Sequence, residues 1–173
     1  MGRLTETAQL LVRHAKRSPC DLSMTEHADK LGPPQIRLVG LQIWVHGRQI
    51  PEATDYWDGN WLNVTAHCGA MGADVWTSGA IIHLPEIKDW ADACEKMYKT
   101  LSGDAKLVCM EPELAVEMKM REHGHISMEV SITPDHRTQE HRFEFEIDQS
   151  YLKEMITECH HVLAAYPIRK GNR

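Results

Sequence analysis

No stretch of the chain approaches the ~18 consecutive apolar residues that a membrane-spanning helix needs. The opening residues Met1 to Leu10 also lack a basic start followed by an apolar run. Membrane insertion and secretion are therefore unsupported. Cysteine is sparse and unpaired: Cys20, Cys68, Cys94, Cys109 and Cys159 are odd in number and scattered, with no Cys-x-x-Cys spacing for zinc or redox chemistry. They read as reduced thiols in a cytoplasm, and four fall on predicted apolar faces, where a free cysteine behaves as a small hydrophobe. Basic charge is in deficit, 19 Lys and Arg against 25 Asp and Glu for a net charge of -6. That disfavours nucleic acid, whose phosphates need clustered Lys and Arg, and suits a basic partner. Ser78-Gly79 has no Gly-x-Ser-x-Gly elbow around it, and there is no phosphate loop or dinucleotide glycine motif. No cofactor is implied.

At 173 residues the chain has the size of one domain with one core. Residues 1–34 differ from the rest: a short amphipathic stretch around Leu4 to Val12, polar Ser18 to Asp21, then the breaker Gly32-Pro33-Pro34. They read as an extension and linker, partly helical or disordered, ahead of one domain over 35–168 and a tail over 169–173. From Ile36 the pattern has period two, with Val39, Leu41, Ile43 and Val45 on one face of a first strand. A second strand places Leu62, Val64, Ala66 and Cys68 inward and Asn63, Thr65 and His67 outward. A third, about Val75 to Leu84, is apolar on both faces. Pro85 suits the first turn of a helix whose Ile87, Trp90, Ala91, Cys94, Tyr98 and Leu101 form one stripe, closed by Ser102-Gly103.

After a short apolar run, Leu107 to Cys109, come two strands whose faces can be registered. Leu114, Val116, Met118 and Met120 share a face with Ile126, Met128, Val130 and Ile132 only if Met120 opposes Ile126. That leaves the loop Glu122-His123-Gly124, with Gly124 where a left-handed residue is needed. Phe143, Phe145 and Ile147 alternate with Glu144, Glu146 and Asp148 in a further strand. Asp148 or Ser150 caps a last helix with Leu152, Met155, Ile156, Cys159 and Leu163 inward, before Pro167. The expected class is α+β: mostly antiparallel sheet, about seven strands in the order βββα-ββββα, two helices packed on one face.

Histidine is plentiful, 11 in all, but His123/His125, His136/His141 and His160/His161 have no ligand spacing that fixes a metal geometry. The segment Asp55-Tyr56-Trp57-Asp58-Gly59-Asn60-Trp61 is odd in another way, with three aromatics and two acids in a chain only 6% aromatic. Asp58-Gly59 is a turn dipeptide, and Asn60 can bond its own backbone. Two readings follow. In one, a tight turn packs Tyr56, Trp57 and Trp61 down as a satellite core. In the other, the aromatics form an exposed platform while Asp55 and Asp58 meet a partner's Lys or Arg. A catalytic pair of Asp55 and Asp58 has no fixed separation and no accompanying nucleophile. A calcium loop lacks the repeated Asp-x-Asp spacing and later Glu.

In this segment, and in the preceding Gln49-Ile50-Pro51, the chain resembles the WapI-type bacterial immunity protein family over about Ile36 to Pro167. The resemblance implies a cytoplasmic, non-enzymatic protein that binds and blocks the toxin domain of a cognate polymorphic toxin. The N-terminal extension departs from that pattern. The resemblance also implies that Trp57 and Trp61 hold a structural turn while Asp55, Asp58 and Asn60 cap or brace it. Asp55, Tyr56, Trp57, Asp58, Asn60 and Trp61 are thus the candidate binding residues. The alternative is a small-ligand binder or hydrolase with a cleft around Asp55 to Trp61, and the plainest reading is a self-associating scaffold with a large apolar patch. Composition does not fix the oligomeric state.

Overall fold

The computed structural model describes residues 30–171, so Cys20 and most of the extension lie outside the described residues. Eight strands and two helices follow one another in two similar runs. The first is β1 (Ile36–Leu38), β2 (Leu41–Arg48), β3 (Trp61–Ala70), β4 (Ala73–His83) and α1 (Leu84–Thr100). The second is β5 (Asp104–Val108), β6 (Leu114–Met120), β7 (His125–Ile132), β8 (Arg142–Asp148) and α2 (Ser150–Ala165). Each run of strands is its own four-stranded sheet in sequence order, and every pairing is antiparallel. The α+β class therefore holds, with eight strands in two sheets where the pattern suggested about seven.

The added strand comes from the first one. Period two does not run through Ile36 to Val45, because the chain turns back at Val39-Gly40 and Leu38 pairs with Leu41. Ile36, Leu38, Leu41 and Ile43 are buried, whereas Val39 sits in the turn, 46% exposed at a φ of 54°. A β-branched residue rarely adopts that conformation. The next residue must be glycine for reasons of space: a Cβ on Gly40 would come within 2.4 Å of the Gly69 carbonyl oxygen and 2.7 Å of the Phe145 ring. The hairpin thus nestles between its own sheet and β8 of the other.

The predicted β6–β7 register is observed, with Met120 opposite Ile126 and Glu122–Gly124 as a short 3-10 turn. His123 shares the left-handed conformation with Gly124, at φ values of 58° and 79°. Inward faces of both sheets and one stripe of each helix make a single core, in which Leu62, Val64, Ala66, Cys68, Trp90, Val116 and Leu152 are all fully buried. Helix α1 contacts β4, β5 and α2, and α2 contacts β1 and β8. In α1 the stripe runs through Met97; Tyr98 is largely exposed, and Leu101 leaves the helix at a φ of 51° as its left-handed cap. Val162 is buried in α2, with Leu163 packed only partly against the core. Ser150, through its hydroxyl first and then through its N–H, which the Asp148 carboxylate accepts at 2.7 Å, holds the Asp148 pKa below the usual carboxylate value.

Cys68, Cys94, Cys109 and Cys159 are buried free thiols. Burial pushes Cys68 and Cys159 up to about 12, and Cys94 and Cys109 up further. Thiols so disfavoured as thiolates are packing groups. Among the described residues no helix is long and apolar enough to cross a membrane, and no group of three or more His, Cys, Asp or Glu is placed to hold a metal ion.

Candidate functional site

The segment between β2 and β3 is a short 3-10 turn, Asp58–Asn60, running directly into β3. Asp55 starts it: one carboxylate oxygen, Oδ1, accepts the backbone N–H groups of Trp57 and Asp58, each at 2.8 Å. This is what a short acidic side chain does at the entrance to a helical turn, where N–H groups have no partner in the chain behind them. Asn60 ends the turn, wholly buried. Its Nδ2 donates to the Tyr56 carbonyl at 2.7 Å and the Arg169 carbonyl at 2.8 Å, while its Oδ1 accepts the Arg169 N–H at 2.8 Å and a longer contact from Arg48 at 3.4 Å. Every hydrogen-bonding capacity of that amide is used, so its burial carries no unsatisfied group.

Two guanidiniums complete the brace. Arg48, at the end of β2, donates to the Gly59 carbonyl and, at 2.6 Å, to the Pro167 carbonyl. Arg169 donates to the Ala53 carbonyl and, at 2.8 Å, to the Pro51 carbonyl. Burial, and then the neighbouring charge of Arg169, hold the Arg48 pKa below the ordinary arginine value. Both cations therefore point inward to carbonyl oxygens and leave the carboxylates of the turn alone. Gly59 is needed where it stands, since a Cβ there would meet the Arg169 Cδ at 2.8 Å and the Ala53 carbonyl oxygen at 3.0 Å.

Beneath the turn lies His83, the last residue of β4 and the N-cap of α1, only 2% exposed. Its N–H donates to the Glu86 carboxylate at 2.8 Å, and its ring accepts the Glu86 N–H, closing a capping box around Pro85. The ring Nε2 faces two acceptors, the carbonyls of Tyr56 at 3.2 Å and Trp57 at 3.3 Å. Nε2 must therefore carry the hydrogen and Nδ1 must be the acceptor, which fixes the tautomer by the company the ring keeps. Tyr56 meets this ring edge-on at 5.4 Å, Trp57 stacks on it at 5.9 Å with planes 19° apart, and Trp61 tilts against it at 5.2 Å. The other oxygen of Glu86 accepts the Met110 N–H at 2.8 Å, tying in the loop after β5. Burial raises the Glu86 pKa against the pull of these N–H donors.

The six candidate residues thus divide. Asn60 is buried, Trp61 is half-buried, and Asp55 is a cap; Tyr56 is 37% exposed, Trp57 is 61% exposed, and the Asp58 carboxylate has no hydrogen bond or ion pair among the described residues. Neither starting picture fits the whole segment. Trp61 packs down as the satellite-core reading expects, and Trp57 is displayed as the platform reading expects. Sequence reasoning did not single out Arg48, His83 or Arg169. A signal existed for His83 alone, since Pro85 as the second helical residue and Glu86 three places after His83 give the spacing of a capping box. Arg169 joins the turn from 109 residues away, and Arg48, which is near the turn in sequence, ties it to Pro167, 119 residues on; no local pattern reports these contacts.

Ser78, the other residue considered for nucleophilic chemistry, bonds to Thr65 at 2.8 Å. Thr65 in turn bonds to His46 at 2.8 Å, so the imidazole reaches the threonine and the serine stands one hydroxyl further on. A shallow depression of about 640 Å³ lies on the outer face of the second sheet, lined by charged residues including Lys106, Glu117, Glu129 and Glu144. No residue of the Asp55–Trp61 turn lines it.

A comparison with curated proteins returns no match. A family model does match, over residues 35–167, which takes in both sheets, both helices and the turn with its brace as far as Pro167, and the chain belongs to the immunity protein WapI-like family.

Proposed function

We propose that this protein is a non-enzymatic binding protein that neutralises the toxin domain of a cognate polymorphic toxin in the cytoplasm. Family membership supplies the class. The observation that carries the binding reading is Trp57: a large aromatic ring, 61% exposed, held on a fully hydrogen-bonded turn. Aromatic side chains on rigid supports are the usual anchors of protein interfaces, because they bury much area and lose little rotamer freedom. Tyr56, Trp57, Asp55 and Asp58 form the presented side in this reading, with Asn60 and Trp61 as its support. A hydrolytic role for Asp55 fits less well, since its Oδ1 is committed to two backbone donors.

The test is co-expression with a polymorphic-toxin domain found by searching the genes that neighbour this one. Growth of the toxin-expressing cells should be restored, and the purified pair should form a stoichiometric complex without consuming any small molecule. Toxicity that persists at full expression of this protein, with no complex on gel filtration, sinks the reading.

A further inference from the structure

The charged side chains of the loop from Glu52 to Asn60 are all acidic. Asp55 and Asp58 flank Trp57, and the exposed Glu52 stands on the same loop. Two cations bonded to this loop, Arg48 and Arg169, are turned inward and engaged by the carbonyls of Gly59, Pro167, Ala53 and Pro51, and the exposed Lys170 next to them makes no ion pair with these acids among the described residues. Asp55 Oδ2 has no hydrogen-bond partner among the described residues while its Oδ1 is pinned by two N–H groups, so the direction of the carboxylate is set before any ligand arrives. Trp57 lies with one face on the buried His83 ring and its other face in solvent, and Tyr56 buttresses it edge-on at 5.2 Å. The ring is preorganised in the same way as the carboxylate.

We propose that this surface is the seat of an arginine side chain presented by the protein partner, with the guanidinium stacked on the open face of Trp57 and donating to the carboxylates of Asp55 and Asp58. The proposal rests on the binding-protein reading above. Its chemistry follows from what surrounds the ring. Ionised carboxylates only accept hydrogen bonds, so the complementary group is one that only donates. A sugar or an amide would bring acceptors that the carboxylates cannot meet. Among donor-only groups, the planar guanidinium both stacks on an aromatic face and reaches two carboxylates at once, whereas an ammonium is a compact point charge. The chain's net charge of -6 adds long-range attraction for a basic partner.

Two measurements on the full chain test this. In the first, tetra-arginine amide, tetra-lysine amide and tetra-citrulline amide are titrated while the Trp57 indole N–H is followed by NMR, its signal assigned with Trp57→Phe. The arginine peptide should shift that signal saturably, the lysine peptide should bind at least threefold more weakly, and the uncharged citrulline peptide should leave it unmoved. Asp58→Asn, which removes no internal bond, should weaken the arginine titration at least threefold. An unshifted Trp57 signal, an equal response to citrulline, or an unaltered Asp58→Asn titration overturns the proposal. In the second, Trp57→Ala is measured against the toxin domain that the co-expression test identifies, with at least a tenfold loss of affinity expected. If wild type neutralises the toxin and Trp57→Ala binds within twofold of it, the arginine seat fails while the immunity reading stands. If wild type binds no toxin, the immunity reading fails and the peptide titration alone decides the seat.

Discussion

Within seven consecutive residues the two sides of one turn live in different physical worlds. Gly59 and Asn60 are buried and hydrogen-bonded by Arg48 and by Arg169, the latter more than a hundred positions away, while Trp57 and Asp58 two places earlier face water, the Asp58 carboxylate with no partner among the described residues. The inward side is determined by satisfaction: each buried donor and acceptor has its partner, and any change there uncovers another group. The outward side is the opposite case, an aromatic ring and carboxylates left incomplete. The difference teaches that this motif is a support and a display fused together. Its residues should therefore separate cleanly when stability and binding are measured side by side.

The sharpest way to break the comparison is Asn60→Ala. That change strips partners from the Tyr56 and Arg169 carbonyls and the Arg169 N–H, all beside a fully buried position. Leaving buried polar groups unpaired costs roughly 1–3 kcal/mol for each, softened where water can enter, so a net loss of about 3 kcal/mol is expected from urea unfolding. Ending the chain after Ile168 removes the other half of the same contacts. The two changes together should cost well short of their sum, with a coupling of about 1–2 kcal/mol in a double-mutant cycle. Additive losses would mean that the Asn60 and Arg169 contacts do not act as one brace.

Next comes Trp61→Ala. Trp61 opens β3, pairs with His83 across to β4 and leans on the imidazole at 5.2 Å. A fully buried Trp costs ~3–5 kcal/mol when cut to Ala; half-buried Trp61 should cost roughly 2 kcal/mol, read as a lower melting temperature. An unchanged melting temperature would move Trp61 from the support to the display.

Legibility in the sequence follows the same line between local and distant causes. The β6–β7 hairpin was readable because two local demands coincide: apolar faces require Met120 against Ile126, and the resulting loop places Gly124 at a positive φ. The β1–β2 hairpin was not, because the residue in the left-handed position is Val39, whose β-branched side chain argues for extended backbone, and the close approach of Gly69 and Phe145 that requires Gly40 is tertiary. In α1, Met97 rather than Tyr98 closes the buried stripe; one step round the helix separates them, and both suit an apolar face. At the site, Asp58-Gly59 announced a turn and Asp55 and Asn60 were sound candidates to cap and brace it. Which aromatics would be buried was decided by His83, Arg48 and Arg169, whose arrival is tertiary.

On the display side, Trp57→Ala should lower stability by only about 0.5–1 kcal/mol, the worth of one aromatic contact beyond its area, here with His83. A loss as large as that of Trp61→Ala would erase the distinction between the two sides.

Asp58→Asn should have the smallest effect on folding and is for that reason the cleanest probe. The Asp58 N–H is capped by Asp55, and that bond does not involve the Asp58 side chain. The carboxylate itself has no intramolecular partner among the described residues, and the turn it begins is three residues long, too short to gather much dipole. The substitution keeps shape and turn propensity while removing one negative charge from the outward side. Surface changes of this kind stay within ~0.5 kcal/mol, so the melting temperature should hold. Any weakening of partner binding can then be assigned to the charge, with a steeper salt dependence in the wild type than in the variant, since the screened interaction is the one removed. Equal salt dependence in both would show that the Asp58 carboxylate meets no charge in the complex.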